Sequence, residues 1–206
     1  MTDRLYEKCR VYDFQKLFNR KGYAYFTKGA YNLNIIGVRR NTNNKVTNKF
    51  DDYLVVIWNT PTGKIYRKVY SITTEPGIYY MSKHLINPKG TAILVPGQYR
   101  GCWQIGKHQN KYKALCQKKA VCVYRDNNYD EIYDMKPETI EKGIFGINIH
   151  RSDEFRLREE INKYSAGCQV FKDPIDYHRF ILLCEKQAEL YGNSFTYTLV
   201  KEEDLV

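Results

Sequence analysis

Residues 144–170 read IFGINIHRSDEFRLREEINKYSAGCQV. The run Ile144, Phe145, Ile147 and Ile149, punctuated by Gly143 and Gly146, predicts a buried strand whose last residue, His150, emerges at the sheet edge. Ser165-Ala166-Gly167-Cys168 predicts a tight turn that sets backbone N–H groups beside a thiol. The polar segment between them, 151–163, has the composition of a solvated loop or short helix able to fold back and bring the two ends together. One cysteine and one histidine placed this way suggest a thiol nucleophile with an imidazole base.

Downstream of this stretch the pattern becomes helical. Asp173 is an N-cap, Pro174 takes the first helical position, and Tyr177, Phe180, Ile181, Cys184, Ala188 and Tyr191 recur at helical spacing until Gly192 stops the helix. Phe195–Val200 is a final strand, expected to join the sheet that carries the Cys168 turn. Upstream, Tyr53–Trp58 and Lys64–Ile72 flank Thr60-Pro61-Thr62-Gly63 and form a β-hairpin. Further strands are expected at Ala92–Val95, Cys102–Ile105 and Ala120–Tyr124. Val11, Phe14, Leu17 and Phe18 fall on one face of a single short helix between Leu5 and Arg20, followed by strand material at Tyr23–Phe26 and Tyr31–Val38. The polar loop Asn41–Asn48 then suggests a division into an accessory N-terminal extension, residues 1–50, and a main domain, residues 51–206. Nineteen tyrosines with nine Phe and two Trp favour strands, and the whole reads as a β-rich α+β protein.

The chain of 206 residues carries a formal charge of +10, which implies attraction to anionic surfaces: nucleic acid, membrane headgroups or an acidic cell envelope. No zinc-finger spacing, aromatic RNA-binding signature or long Lys/Arg block is present, so nucleic acid ranks second. The N-terminus lacks the apolar core of a secretion signal and no apolar stretch reaches transmembrane length, so synthesis as a soluble cytoplasmic protein is expected. The six cysteines, scattered through a chain of this size, point to free thiols. Cys102, His108, Cys116 and Cys122 include useful ligand types but no Cys-x-x-Cys or His-x-x-x-His pair, and neither metal nor cofactor is expected.

Fourteen residues separate His150 from Ser165, and Ser165-x-Gly167-Cys168 follows. This arrangement resembles the L,D-transpeptidases of the YkuD type, whose hallmark is a histidine, fourteen to seventeen residues, then Ser/Thr-x-Gly-Cys. Asn87-Pro88-Lys89-Gly90-Thr91 looks like the Thr-Pro-x-Gly strand opening of that family, and the Tyr53–Thr74 hairpin like its first hairpin. The likeness covers roughly residues 52–200. It implies a mixed β-sheet sandwich or barrel with a C-terminal helix and final strand, no cofactor, and the peptide stems of peptidoglycan as substrate, cut or joined after a diamino acid. Two positions depart from the family: Arg151 stands where a glycine usually follows the histidine, and Val170 where Arg or Asn usually stands two residues beyond the cysteine.

A thiol near neutral pH is mostly protonated, so Cys168 needs His150 as base. The other imidazole nitrogen needs an orienting partner, Ser165 or a backbone carbonyl; the family likeness favours the carbonyl. Gly167 permits the sharp turn, and the N–H groups of Gly167, Cys168 and Gln169 are candidates for an oxyanion site. Ser165 otherwise ties the turn together. Arg151, with Arg158, is a candidate for binding substrate carboxylates or simply a solvated arginine. Read with the resemblance, the absent export signal implies a phage or prophage lytic enzyme, reaching the periplasm or cell wall by release or delivery. Hydrolysis is then favoured over cross-linking. A true L,D-transpeptidase, and a non-catalytic basic protein that binds cell wall or nucleic acid, are the alternatives; the oligomeric state is not legible.

Overall fold

The computed structural model describes residues 3–206. The expected hairpin forms: β2 (Asp52–Asn59) and β3 (Ile65–Thr73) pair antiparallel from Asp52 opposite Ile72 to Asn59 opposite Ile65. Gly63, at φ 78°, makes the turn, donating to the Thr60 carbonyl. Every β2 residue but Asn59 is buried, because Leu54, Val56 and Trp58 enter the main core while Tyr53, Val55 and Ile57 meet a second apolar layer outside it. A strand covered on both faces reads as a continuous apolar run rather than an alternating one.

Around this hairpin an eight-stranded barrel closes. Its other strands are β1 (Asn34–Arg39), β5 (Gly97–His108), β6 (Tyr112–Gln117), β9 (Ile149–Arg151), β10 (Gln169–Phe171) and β11 (Phe195–Lys201). The order round the barrel is β1-β11-β5-β6-β9-β10-β3-β2, with β1 closing on β2. The β1–β11 and β9–β10 pairs are parallel and the rest antiparallel. A separate sheet of β4 (Thr91–Leu94), β7 (Val121–Asp126) and β8 (Glu141–Gly143) lies in the order β4-β7-β8. With 22% helix and 35% strand, the fold is a β-rich α+β architecture.

Among the described residues four α-helices complete it: α1 (Arg4–Val11), α2 (Phe14–Lys21), α3 (Ile78–Ser82) and α4 (Pro174–Tyr191). In α4 the Asp173 carboxylate accepts from Ile175 N at 2.7 Å, and Tyr177, Phe180, Ile181 and Cys184 join the main core beside Phe171 and Trp103. No helix of the described residues is long and apolar enough to cross a membrane.

Four sequence expectations are corrected. The single N-terminal helix is two, because Asp13 caps a new one by accepting from Lys16 N at 3.1 Å. Val11, counted on its apolar face, is 80% exposed, and Leu5, Cys9, Phe14, Leu17 and Phe18 form the buried face instead. Tyr23–Phe26 is not a strand. The division at residue 50 does not separate an extension from a domain, since β1 sits inside the barrel between β11 and β2. The polar loop that suggested it is pinned by its side chains: Asn48 Oδ1 accepts from Ile78 N at 3.1 Å and Asn162 N at 2.8 Å.

The fourth correction concerns the Ile144–Ile149 run. Only Ile149 belongs to a strand, and Ile144 is 67% exposed. In place of a ladder partner, Gln117 Oε1 accepts from Phe145 N at 3.1 Å and Ile147 N at 2.9 Å, while Gln117 N donates to Asn148 Oδ1 at 2.9 Å. Gly146, at φ 73°, bends the segment away from a strand path.

Candidate active site

The parallel β9–β10 pair brings the two ends of the decisive stretch together. His150 lies opposite Val170, and the alternation of side chains carried back two residues from Val170 puts Cys168 on the His150 face. Both residues line one cleft of about 430 Å³, with Asn87, Gly90 and Thr91 along another wall.

Gly167 fixes where the thiol sits. It lies at φ 117°, and a Cβ there would come within 2.2 Å of the Ala92 carbonyl oxygen, so β4 can approach the turn only because the residue is glycine. Ser165 is fully buried; its hydroxyl donates to the Cys168 carbonyl at 2.8 Å and accepts from Gly167 N at 3.2 Å. It ties the turn and does not touch the histidine. The Cys168 thiol donates to the Gly146 carbonyl at 3.4 Å and its sulfur accepts from Asn148 N at 3.5 Å.

His150 is 5% exposed and its Nδ1 is 2.8 Å from the Arg151 carbonyl. A carbonyl only accepts, so Nδ1 carries the proton and, in the neutral ring, Nε2 carries the lone pair. Tyr112 Oη donates to the same carbonyl at 3.2 Å. The ring is therefore held in the tautomer of a base, by a carbonyl rather than by Ser165. No hydrogen bond joins Cys168 to His150 among the described residues; the thiol is parked on Gly146.

Desolvation keeps both groups neutral. Burial pushes the Cys168 thiol up to about 11, against the pull of the Asn148 N–H. Burial, with the neighbouring His108 as a second cause, brings His150 down to about 3, opposed by its bond to the Arg151 carbonyl. The resting pair is thiol and imidazole, not thiolate and imidazolium.

Two expected participants sit elsewhere. Gln169 is fully buried: its N–H donates to the Asn148 carbonyl at 2.9 Å and its side-chain amide nitrogen to the Gly167 carbonyl at 3.3 Å, so neither donor is free for an oxyanion. Arg151 does not line the cleft; its guanidinium lies 4.2 Å from the Tyr112 ring centroid and pairs with Glu154 at 3.1 Å. Arg158 lines a neighbouring groove and is ion-paired to Asp153. Val170 is buried against Phe50 and Ile161, beneath the cleft. The cations that do line the cleft are Arg125, ion-paired to Glu141 at 2.8 Å, and Lys163, whose amine stands 4.4 Å over the Tyr79 ring.

The residues missed by sequence reasoning come from β5, β6 and the bent segment. His108 stacks on His150 with 4.0 Å between ring centroids, Asn148 bridges His108 and the thiol, and Tyr112 braces the Arg151 carbonyl. Of these three, the sequence singles out only His108, and only as a ligand type beside Cys102, Cys116 and Cys122. No group of three or more His, Cys, Asp or Glu among the described residues could hold a metal ion, and all six cysteines are free.

No family model, curated protein or solved structure matches the chain.

Proposed function

We propose that this protein is a cysteine-dependent acyltransferase, similar to L,D-transpeptidases of the YkuD type, acting on the peptide stems of peptidoglycan through a Cys168 thioester, with water the favoured acyl acceptor. The observation that carries the reading is that His150 and Cys168 line one cleft, the imidazole being held in the tautomer that accepts a proton. Sulfur attacks the stem carbonyl as the thiol proton passes to His150 Nε2. The imidazolium then protonates the departing amine, and water or a second amine resolves the thioester. No carboxylate lines the cleft, so nothing there repels a substrate that ends in a carboxylate.

With purified sacculi, Cys168→Ala and His150→Ala are each expected to abolish release of stem fragments while far-UV circular dichroism stays native. Release undiminished in Cys168→Ala would sink the mechanism. Mass spectrometry of the muropeptides separates hydrolysis, seen as lost residues, from cross-linking, seen as dimers. A second reading, a non-catalytic basic protein binding the cell wall, is favoured by the neutral resting state of the pair. It predicts binding to sacculi with no fragment released by the wild type.

A further inference from the structure

The turn around Cys168 leaves an oxyanion site short of donors. Gly167 N–H is given to Ser165 Oγ and Gln169 N–H to the Asn148 carbonyl, which leaves the N–H of Cys168 itself. A second candidate donor is on the last residue of β5. His108 is half-buried, lines the same cleft, and lies nearly parallel to the His150 ring, at 16°.

Asn148 sets the His108 tautomer. Its Oδ1 accepts from the Gln117 backbone N–H, which can only donate, so the amide nitrogen is the atom 3.0 Å from His108 Nδ1 and donates to it. An accepting Nδ1 holds no proton, and the neutral ring carries its proton on Nε2. His150 is the reverse. Two stacked imidazoles in one cleft thus present a lone pair and an N–H.

We propose that His108 is a catalytic residue whose Nε2–H donates a hydrogen bond to the carbonyl oxygen of the group that Cys168 attacks, completing the oxyanion site with the Cys168 N–H. This rests on the acyl-transfer reading. As the S–C bond forms, the carbonyl π pair moves onto oxygen and the thiol proton passes to His150 Nε2. His108 keeps its proton throughout. On collapse the pair returns, the bond to the leaving group breaks, and an amine leaving group takes the proton from His150. Because the thiol is not ionised beforehand, negative charge first gathers on the oxygen, where a preoriented donor is worth most. Burial and Lys111 also disfavour protonation of His108, which suits a donor that acts as the neutral ring.

The test compares two reactions at the same sulfur. Acetylation of Cys168 by p-nitrophenyl acetate passes through an oxyanion, and its leaving group needs no proton; alkylation by iodoacetamide is a displacement at saturated carbon with no oxyanion. His108→Phe, which keeps a stacked ring and loses the donor, is expected to lower the ratio of the acetylation rate to the alkylation rate by about 10²-fold, since a change in His150 basicity acts on both reactions alike. His108→Gln, which retains an N–H, is expected to keep a higher ratio than His108→Phe. A wild-type ratio in His108→Phe, as an equal fall in both reactions would give, or the reverse order of the two variants would each overturn the proposal. If wild-type Cys168 alkylates but is not acetylated, the acyl-transfer reading itself falls and takes this one with it.

Discussion

Desolvation acts on both partners of the Cys168–His150 pair in the direction that keeps each uncharged, and this has a kinetic signature. A preformed thiolate–imidazolium pair would alkylate rapidly at low pH and show a plateau below neutrality. Here the thiol is raised to about 11 and the imidazole lowered to about 3. Iodoacetamide alkylation of Cys168, followed by peptide mapping, is expected to rise with pH through the alkaline range without a low-pH plateau; a plateau between pH 5 and 7 would contradict the neutral pair. Stability carries the same information. The folded-state value of His150 lies below its ordinary 6.5, so the native state prefers the neutral ring. Its contribution is present above about pH 6.5 and is lost as pH falls toward about 3. His150→Gln should therefore lose less stability than the wild type in urea titrations between pH 6.5 and 4. Asp52, raised to about 6 by burial, works in the opposite sense and is common to both proteins, so the difference between them isolates the histidine. At this scale Cys168 and His150 were legible because their spacing is a property of the chain. His108, Asn148 and Tyr112 were not, because β6 meets β9 through the single pair Leu115 and Ile149, and nothing local announces that meeting.

The hairpin and the long helix carry their signals within one run of residues, whereas the bend before His150 is held by a distant side chain. The β2–β3 hairpin has its turn residues and apolar runs in sequence, and α4 has its cap, its proline and its apolar spacing. The segment 144–148 has a strand's composition but takes its hydrogen bonds from Gln117, on the far side of the chain's fold-back. Gln117 Nε2 also donates to Lys119 and Gly143 carbonyls, so one side chain anchors the bend that carries Gly146, the thiol's resting acceptor. Gln117→Ala orphans the N–H groups of Phe145 and Ile147. It is expected to cost about 1–3 kcal/mol in chemical denaturation and to speed amide hydrogen exchange at 145–147 before the rest of the barrel. Exchange there unchanged from wild type would show that the bend is held by something else. Gly167→Ala tests the other side of the same cleft. Its methyl would meet the Ala92 backbone, which cannot swing aside, so a stability loss of at least about 2 kcal/mol is expected.

For the whole molecule, the order of strands round the barrel decides which pieces can fold. A polar loop at 41–48 looks like a boundary, yet β1 before it is hydrogen-bonded to β2 on one side and to β11 on the other. A fragment spanning 51–206 would keep the cleft residues and every element named from the family likeness, while losing the strand that closes the barrel. Two edges would open, on β2 and β11, and exposed edges of apolar strands pair with other chains. The same cut removes α1 and α2, whose Leu5, Cys9, Phe14, Leu17 and Phe18 cover Val55 and Ile57 of β2 and Val200 of β11. The β2 strand would then present apolar side chains to water on a face that is now fully buried. At about 25 cal/mol per Å² of apolar surface, uncovering even a few such side chains costs several kcal/mol, comparable to the net stability of a domain. The fragment 51–206 is therefore expected to aggregate, or to lack a cooperative thermal transition by circular dichroism, and a fragment beginning at Asp3 to melt as one unit. A soluble, cooperatively melting 51–206 fragment that still alkylates at Cys168 with the wild-type pH dependence would show that β2 and β11 can close the barrel without β1.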